Sequence, residues 1–105
     1  MKLPKNVKIA NHIFKITEWH SGEANASNKF GQCDCNELTI KISTDHADSH
    51  TKETLLHETL HGIFWSYGLR DGDNQERIVT TLAAGLMQVF QDNKEVYKFL
   101  NGEQK

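Results

Sequence analysis

The chain has 105 residues, with 12 Lys and Arg, 14 Asp and Glu, 6 His and a formal net charge of −2 at pH 7. This length predicts a single domain over residues 1–105. Apolar residues make up 37% of the chain and charged residues 25%, which is ordinary for a folded globule and argues against disorder. The slightly negative net charge gives no indication of binding to nucleic acid. The sequence has no run of about 18 apolar residues, so we do not expect a membrane as a partner.

The cysteines predict a reducing compartment. The chain has two of them, Cys33 and Cys35, and two cysteines cannot build a disulfide framework. Their spacing is not C-x-x-C, and no second pair is present to complete a metal or redox site. We therefore expect two free thiols. The first residues lack the apolar stretch of a secretory signal, which also favours a cytoplasmic location.

The first part of the chain predicts two β-hairpins. Alternating, β-branched and aromatic residues indicate the strands, and polar residues indicate the turns between them. The polar and small residues 20–28 are expected to form a loop between the two hairpins. The predicted strands are residues 7–9, 13–19, 29–33 and 37–42.

After residue 50 the apolar residues recur with helical spacing. Three helices are predicted, at residues 51–67, 74–91 and 94–100, and Gly68 should end the first of them as its C′ residue. Strands followed by helices indicate the α+β class, with a small antiparallel sheet packed on the helices. The predicted core comprises Leu56, Leu60, Ile63, Phe64 and Tyr67 on the first helix, and Ile78, Val79, Leu82, Ala83, Leu86, Met87, Val89 and Phe90 on the second.

The first helix contains the motif H-E-x-x-H, formed by His57, Glu58 and His61. Four residues advance a helix by about 400°, so both imidazoles project from one face and can reach the same zinc ion. Glu58 should flank this metal without binding it. From there it can act as the general base that takes a proton from a water molecule activated by zinc. Gly62, directly after the motif, should allow a neighbouring element to approach closely.

A catalytic zinc ion needs a third protein ligand, for which Glu76 is the best candidate. It lies near the start of the second helix, at the margin of the apolar stripe, and a short connection brings it back toward the first helix. The alternative role for Glu76 is a capping box with Asp73, because the two residues have the required spacing. Asp71, Asp73 and His50 are weaker candidates for the third ligand.

These motifs resemble those of minimal zincins of the gluzincin type, in which an H-E-x-x-H helix is followed by a helix that carries a Glu ligand. Residues 55–62 and 74–79 are also similar to small zincin-like metallopeptidases of phages and prophages, which are related in outline to ImmA/IrrE-type endopeptidases. Residues 30–34 and 39–42 are similar to the strand pair that precedes the zinc helix there. The resemblance covers roughly residues 28–92.

The resemblance implies a sheet packed on the zinc helix, with an edge strand from the second hairpin above the metal, where a substrate peptide pairs. It implies a zinc metallopeptidase with one zinc ion per chain and a peptide or protein substrate. The location would be the cytoplasm, that of the host if the protein is phage-encoded. At a length of 105 residues, we expect none of the further domains that close the cleft of larger peptidases. The alternative is a zinc-binding scaffold that acts as a protein-binding or inhibitory module, but a scaffold has no need of Glu58 as a general base.

The group that would stabilise the oxyanion is not assigned by the sequence. Tyr67 is a weak candidate because it is one of the predicted core residues of the first helix. His46 and His50 precede this helix, in a segment where we expect solvated residues. Trp65 lies near the side of the first helix that carries the two motif histidines. We predict that it is a packed aromatic residue rather than the floor of a substrate pocket.

Overall fold

A computed structural model describes residues 2–19, 30–69 and 72–102, without the side chain of Asp73. These residues form a small α+β fold with a four-stranded sheet and three α-helices. A short 3₁₀ turn, Gly72–Asn74, precedes the second helix. The elements are β1 (Asn6–Ile9), β2 (His12–Glu18), β3 (Gly31–Asp34), β4 (Thr39–Ile42), α1 (Asp48–Ser66), α2 (Gln75–Asp92) and α3 (Lys94–Leu100).

The sheet is mixed, so the prediction of an antiparallel sheet is wrong. Both hairpins form as predicted, but β2 pairs in parallel with β4, and the strand order is β1-β2-β4-β3. The crossover from β2 to β4 includes β3, and a parallel pair requires a long connection of this kind. Alternation of apolar residues defines the buried face of a strand but not the direction of its neighbour. The strand pattern therefore could not reveal the parallel pair.

One face of the sheet packs against α1. The buried side chains there are Ile9, Phe14, Ile16, Ile40 and Ile42, with Leu55 of α1 packed against them. Gly62 allows the close contact, because a methyl group on it would lie 2.7 Å from Cδ1 of Ile9. The prediction that Gly62 permits close approach is therefore confirmed.

The opposite side of α1 packs against α2. Leu60 and Phe64 of α1 meet Val79 and Ala83 of α2, and all four are buried. The first helix ends as predicted, because Gly68 has a φ of +72° and the amide of Leu69 donates to the carbonyl of Phe64 at 2.8 Å. This arrangement makes α1 the middle layer between the sheet and α2.

The predicted helix core is too wide. Tyr67 is 70% exposed and Ile63 is 37% exposed, because α1 ends at Ser66 and α2 covers only the stripe through Leu60 and Phe64. On α2 the same narrow contact leaves Leu82 42% exposed and Val89 38% exposed. Among the residues that the structure describes, no helix is both long and apolar enough to cross a membrane.

Candidate metal centre

A cavity of about 690 Å³ opens where the edge strand β3, the middle of α1 and the first turn of α2 meet. Gly31, Gln32 and Cys33 of β3 form one wall. Other lining residues include the aromatic side chains of Phe30, Phe64 and Trp65 and the polar side chains of His57, Glu58, His61, Gln75 and Glu76. The regular geometry of an α-helix thus places His57, Glu58 and His61 at a single opening.

The imidazole rings of His57 and His61 face each other through their Nε2 atoms. Their Nε2 atoms are 3.3 Å apart, and their ring centroids are 4.9 Å apart. The side chains are 20% and 18% exposed, so both imidazoles are partly shielded from water. The single helical turn between the two residues produces this convergence, as the motif predicts.

Glu76 reaches both imidazoles from the start of α2. Its Oε1 lies 2.7 Å from Nε2 of His57, and its Oε2 lies 3.2 Å from Nε2 of His61. Because α2 begins at Gln75 after Asn74, Glu76 is the second residue of the helix and not the third. The side chain of Asp73, the partner of Glu76 in the alternative capping box, lies outside the described residues. The carboxylate of Glu76 faces the two histidines.

His57, His61 and Glu76 form a group that could hold a metal ion, with one ligand atom from each residue within 4.8 Å of the others. Two imidazole nitrogens and a carboxylate oxygen are a donor set that suits zinc. Tetrahedral bonds of about 2.0–2.1 Å to zinc place the ligand atoms about 3.3–3.4 Å apart. The separations of 3.3 Å and 3.2 Å at His61 match this edge length, whereas Oε1 of Glu76 at 2.7 Å from His57 would have to move outward slightly.

Glu58 occupies a different position from the three potential ligands. It is only 7% exposed and lies between α1 and the first residue of β3. A methyl group on Gly31 would lie 3.1 Å from Cγ and 3.2 Å from Oε2 of Glu58, and 2.8 Å from Cγ2 of Thr54. The absence of a side chain at Gly31 therefore lets the edge strand pass directly over the Glu58 carboxylate.

Sequence reasoning missed two residues of this site. Gly31 is a glycine inside a predicted strand, which is a known signal of close backbone approach. Gln75 contacts His61, with its Oε1 2.7 Å from Nδ1 of the ring. The sequence contains no comparable signal for Gln75, because a polar residue beside a potential ligand is common in the first turn of a helix.

The other candidates lie elsewhere or outside the described residues. His46 and His50 pack with Phe30, at centroid distances of 4.8 Å and 4.6 Å, so His50 belongs to an aromatic cluster and not to the potential ligands. Asp71 and the side chain of Asp73 lie outside the described residues. Tyr67 points to solvent and not into the core.

Trp65 combines the two roles that the sequence suggested for it. Its ring makes an edge contact with Phe14 at a centroid distance of 6.3 Å and also lines the cavity, with 42% of the residue exposed. It is therefore packed on one side and open to the cavity on the other. An exposed indole face at a cavity is well suited to apolar contact with a bound molecule.

The two cysteines lie close together, and the charge of Glu58 acts on the thiol of Cys33. The Sγ atoms of Cys33 and Cys35 are 3.8 Å apart, and both residues are free cysteines, as predicted. Burial raises the pKa of the Cys33 thiol above its ordinary value of 9.0, and the neighbouring Cys35 and the charge of Glu58 raise it further. Burial also raises the pKa of Cys35. These shifts keep the thiols protonated at neutral pH.

Comparison of the chain with family models, with curated proteins and with solved structures found no match in any of the three.

Proposed function

We propose that the protein is a zinc-dependent metallopeptidase with a zincin-like arrangement of its site. The observation that carries this proposal is the convergence of His57, His61 and Glu76 within 4.8 Å, at a cavity that Glu58 also lines. Two imidazoles and one carboxylate are a ligand set of catalytic zinc sites, which keep a further position open. One zinc ion per chain is proposed.

Zinc bound there would supply a Lewis acid and would lower the pKa of water at the site toward about 7. Glu58 would accept a proton from the attacking water and then donate it to the amine that leaves when the peptide C–N bond breaks. The side chain is suited to this role because it lines the same cavity as both motif histidines but is not one of the three potential ligands. Its burial between α1 and β3 also restricts its motion.

An extended peptide is the substrate class that the surroundings favour. Strand β3 is at the edge of the sheet, and its residues form a wall of the cavity. The unpaired side of an edge strand offers backbone groups that a peptide can join as an additional strand. Phe30 and Trp65, both about half exposed at the same opening, offer apolar surface to side chains of such a peptide.

The proposal is tested with the purified protein and a diverse library of peptides. Metal content per chain is measured first, and an anomalous difference map at the zinc edge locates the ion. Cleavage is then compared for protein as purified, after chelation, and after zinc is returned. We expect about one zinc per chain and cleavage that disappears on chelation and returns with zinc.

The alternative, a zinc-binding scaffold, predicts a different result from the same experiment. Zinc would still be found at the site, but no peptide in the library would be cleaved. A partner protein that binds wild type and Glu58→Gln with equal affinity would support the scaffold function. The peptidase proposal would then be replaced by a protein-binding function.

A further inference from the structure

We infer that Gln75 is a positioning residue that holds His61 in the tautomer able to bind the metal. This inference rests on the proposed metal centre but not on peptidase activity. The structural basis is the contact between Oε1 of Gln75 and Nδ1 of His61 at 2.7 Å, on the side of the ring opposite to Glu76 and His57. Each nitrogen of the His61 ring thus has its own set of neighbours.

The contact determines where the ring proton lies. An amide oxygen has no proton to donate, so Nδ1 of His61 must donate the hydrogen bond to it. A neutral imidazole carries one ring proton, and a proton on Nδ1 leaves the lone pair on Nε2. Nε2 is the atom that faces Nε2 of His57 at 3.3 Å and Oε2 of Glu76 at 3.2 Å. The bond to Gln75 therefore prepares this nitrogen for a metal ion.

The position of Gln75 in the fold stabilises its contact with His61. Gln75 and Glu76 are the first two residues of α2, so one helical turn carries both the acceptor for His61 and the potential third ligand. Gln75 is partly buried, whereas the Glu76 side chain is 69% exposed. Shielding from water strengthens a hydrogen bond. The packing of α2 on α1 through Val79 and Ala83 maintains the distance.

The test measures the affinity for Zn²⁺ in competition with a chelator, and the absorption spectrum of the Co²⁺-loaded protein. Gln75→Leu keeps the approximate size but removes the acceptor. Gln75→Glu keeps an acceptor that cannot donate in its ionised form. Loss of a hydrogen-bond partner of a metal-binding histidine typically costs about 10–100-fold in metal affinity. We expect that loss in Gln75→Leu, with an altered Co²⁺ spectrum, and wild-type or tighter affinity in Gln75→Glu.

Gln88→Leu is the matched control, because it makes the same change on an exposed residue of the same helix, where the Nε2 of Gln88 donates to Asp92. Its metal affinity should equal that of wild type. The melting temperature of each chelated variant separates positioning from folding, and Gln75→Met replaces Gln75→Leu if the latter does not fold. If neither variant folds, Gln75 has a structural role and the inference is wrong.

The remaining outcomes separate this inference from the proposed function. Equal Zn²⁺ affinity in wild type and Gln75→Leu overturns the inference alone, as does an equal loss in Gln75→Leu and Gln75→Glu. A wild-type protein that binds no Zn²⁺ overturns the metal centre and the inference together. Zn²⁺ binding without peptide cleavage overturns the peptidase proposal and leaves the role of Gln75 intact.

Discussion

Gly31 lies directly over Glu58, so close that a methyl group on the glycine would be 3.1 Å from Cγ of the glutamate. The edge strand and the side chain proposed as general base therefore occupy positions that depend on each other. Any side chain at residue 31 must displace β3 or move the carboxylate. The potential ligands His57, His61 and Glu76 are not among the nearest contacts of that methyl group.

Gly31→Ala should reduce peptide cleavage and leave zinc affinity nearly unchanged. Overpacking of this kind costs about 1–3 kcal/mol of stability, and a catalytic group displaced by about 1 Å can lose about 10²-fold in rate. Urea unfolding, zinc titration and cleavage assays measure the three effects. Gly85→Ala is the control, because a methyl group there would meet no described residue within 4 Å beyond its chain neighbours and the adjacent backbone of its own helix. Full activity in Gly31→Ala would show that the close contact has no role in the reaction.

Glu58→Gln should keep the fold and the zinc and lose cleavage. The amide has nearly the size of the carboxylate but cannot accept a proton from water, and loss of a general base costs about 10²–10⁴-fold in rate. The rate of cleavage is compared at equal zinc content. Glu53→Gln, an exposed residue of the same helix, is the control and should cleave at the wild-type rate. Equal rates in both variants would contradict the role of Glu58.

Glu76→Gln should weaken zinc binding, because it replaces a charged oxygen ligand with a neutral amide. Metal content and zinc affinity are measured for this variant and for Asp73→Asn. The control is Glu95→Gln, which alters the second residue of α3 just as Glu76→Gln alters the second residue of α2. If Asp73→Asn loses zinc while Glu76→Gln retains full affinity, Glu76 is not the third ligand.

Removal of the metal should lower the melting temperature by several degrees. The potential ligands come from α1 and α2, so a bound ion would connect two helices that otherwise meet through a narrow apolar contact. A ligand that binds only the folded state stabilises it, by about 2.7 kcal/mol at 100 times its dissociation constant. Thermal unfolding with and without chelator measures the shift. Glu76→Gln should show a smaller shift than wild type, and an identical melt after verified metal removal would contradict this expectation.

The Cys33 thiol should make the fold less stable in alkali. Because burial raises its pKa above 9.0, the folded chain retains a proton that the unfolded chain loses as the pH rises through this value. The free energy of unfolding therefore falls above about pH 9 and is independent of this group below it. Urea unfolding of wild type and Cys33→Ala across this range isolates the effect, which should be smaller in the variant. Identical pH profiles would contradict it.

The sequence by itself determined the local structure and the central motif. Helix α1, its C-terminal glycine and the convergence of His57 and His61 follow from helical spacing, because residues four apart share one face. The predicted strands and helices agree with the structure to within a few residues at each end. The metal and the reaction remain proposals, as does the role of Glu58.

Only the tertiary structure decided the relationships between elements. The parallel pairing of β2 with β4 and the passage of β3 over Glu58 depend on how the two hairpins meet, which alternation does not encode. The exposure of Tyr67 depends on how much of α1 the second helix covers. The contact of Gln75 with His61 joins residues 14 positions apart through helix packing. Local periodicity describes which face of an element is buried, whereas partners across a cavity are set by packing in three dimensions.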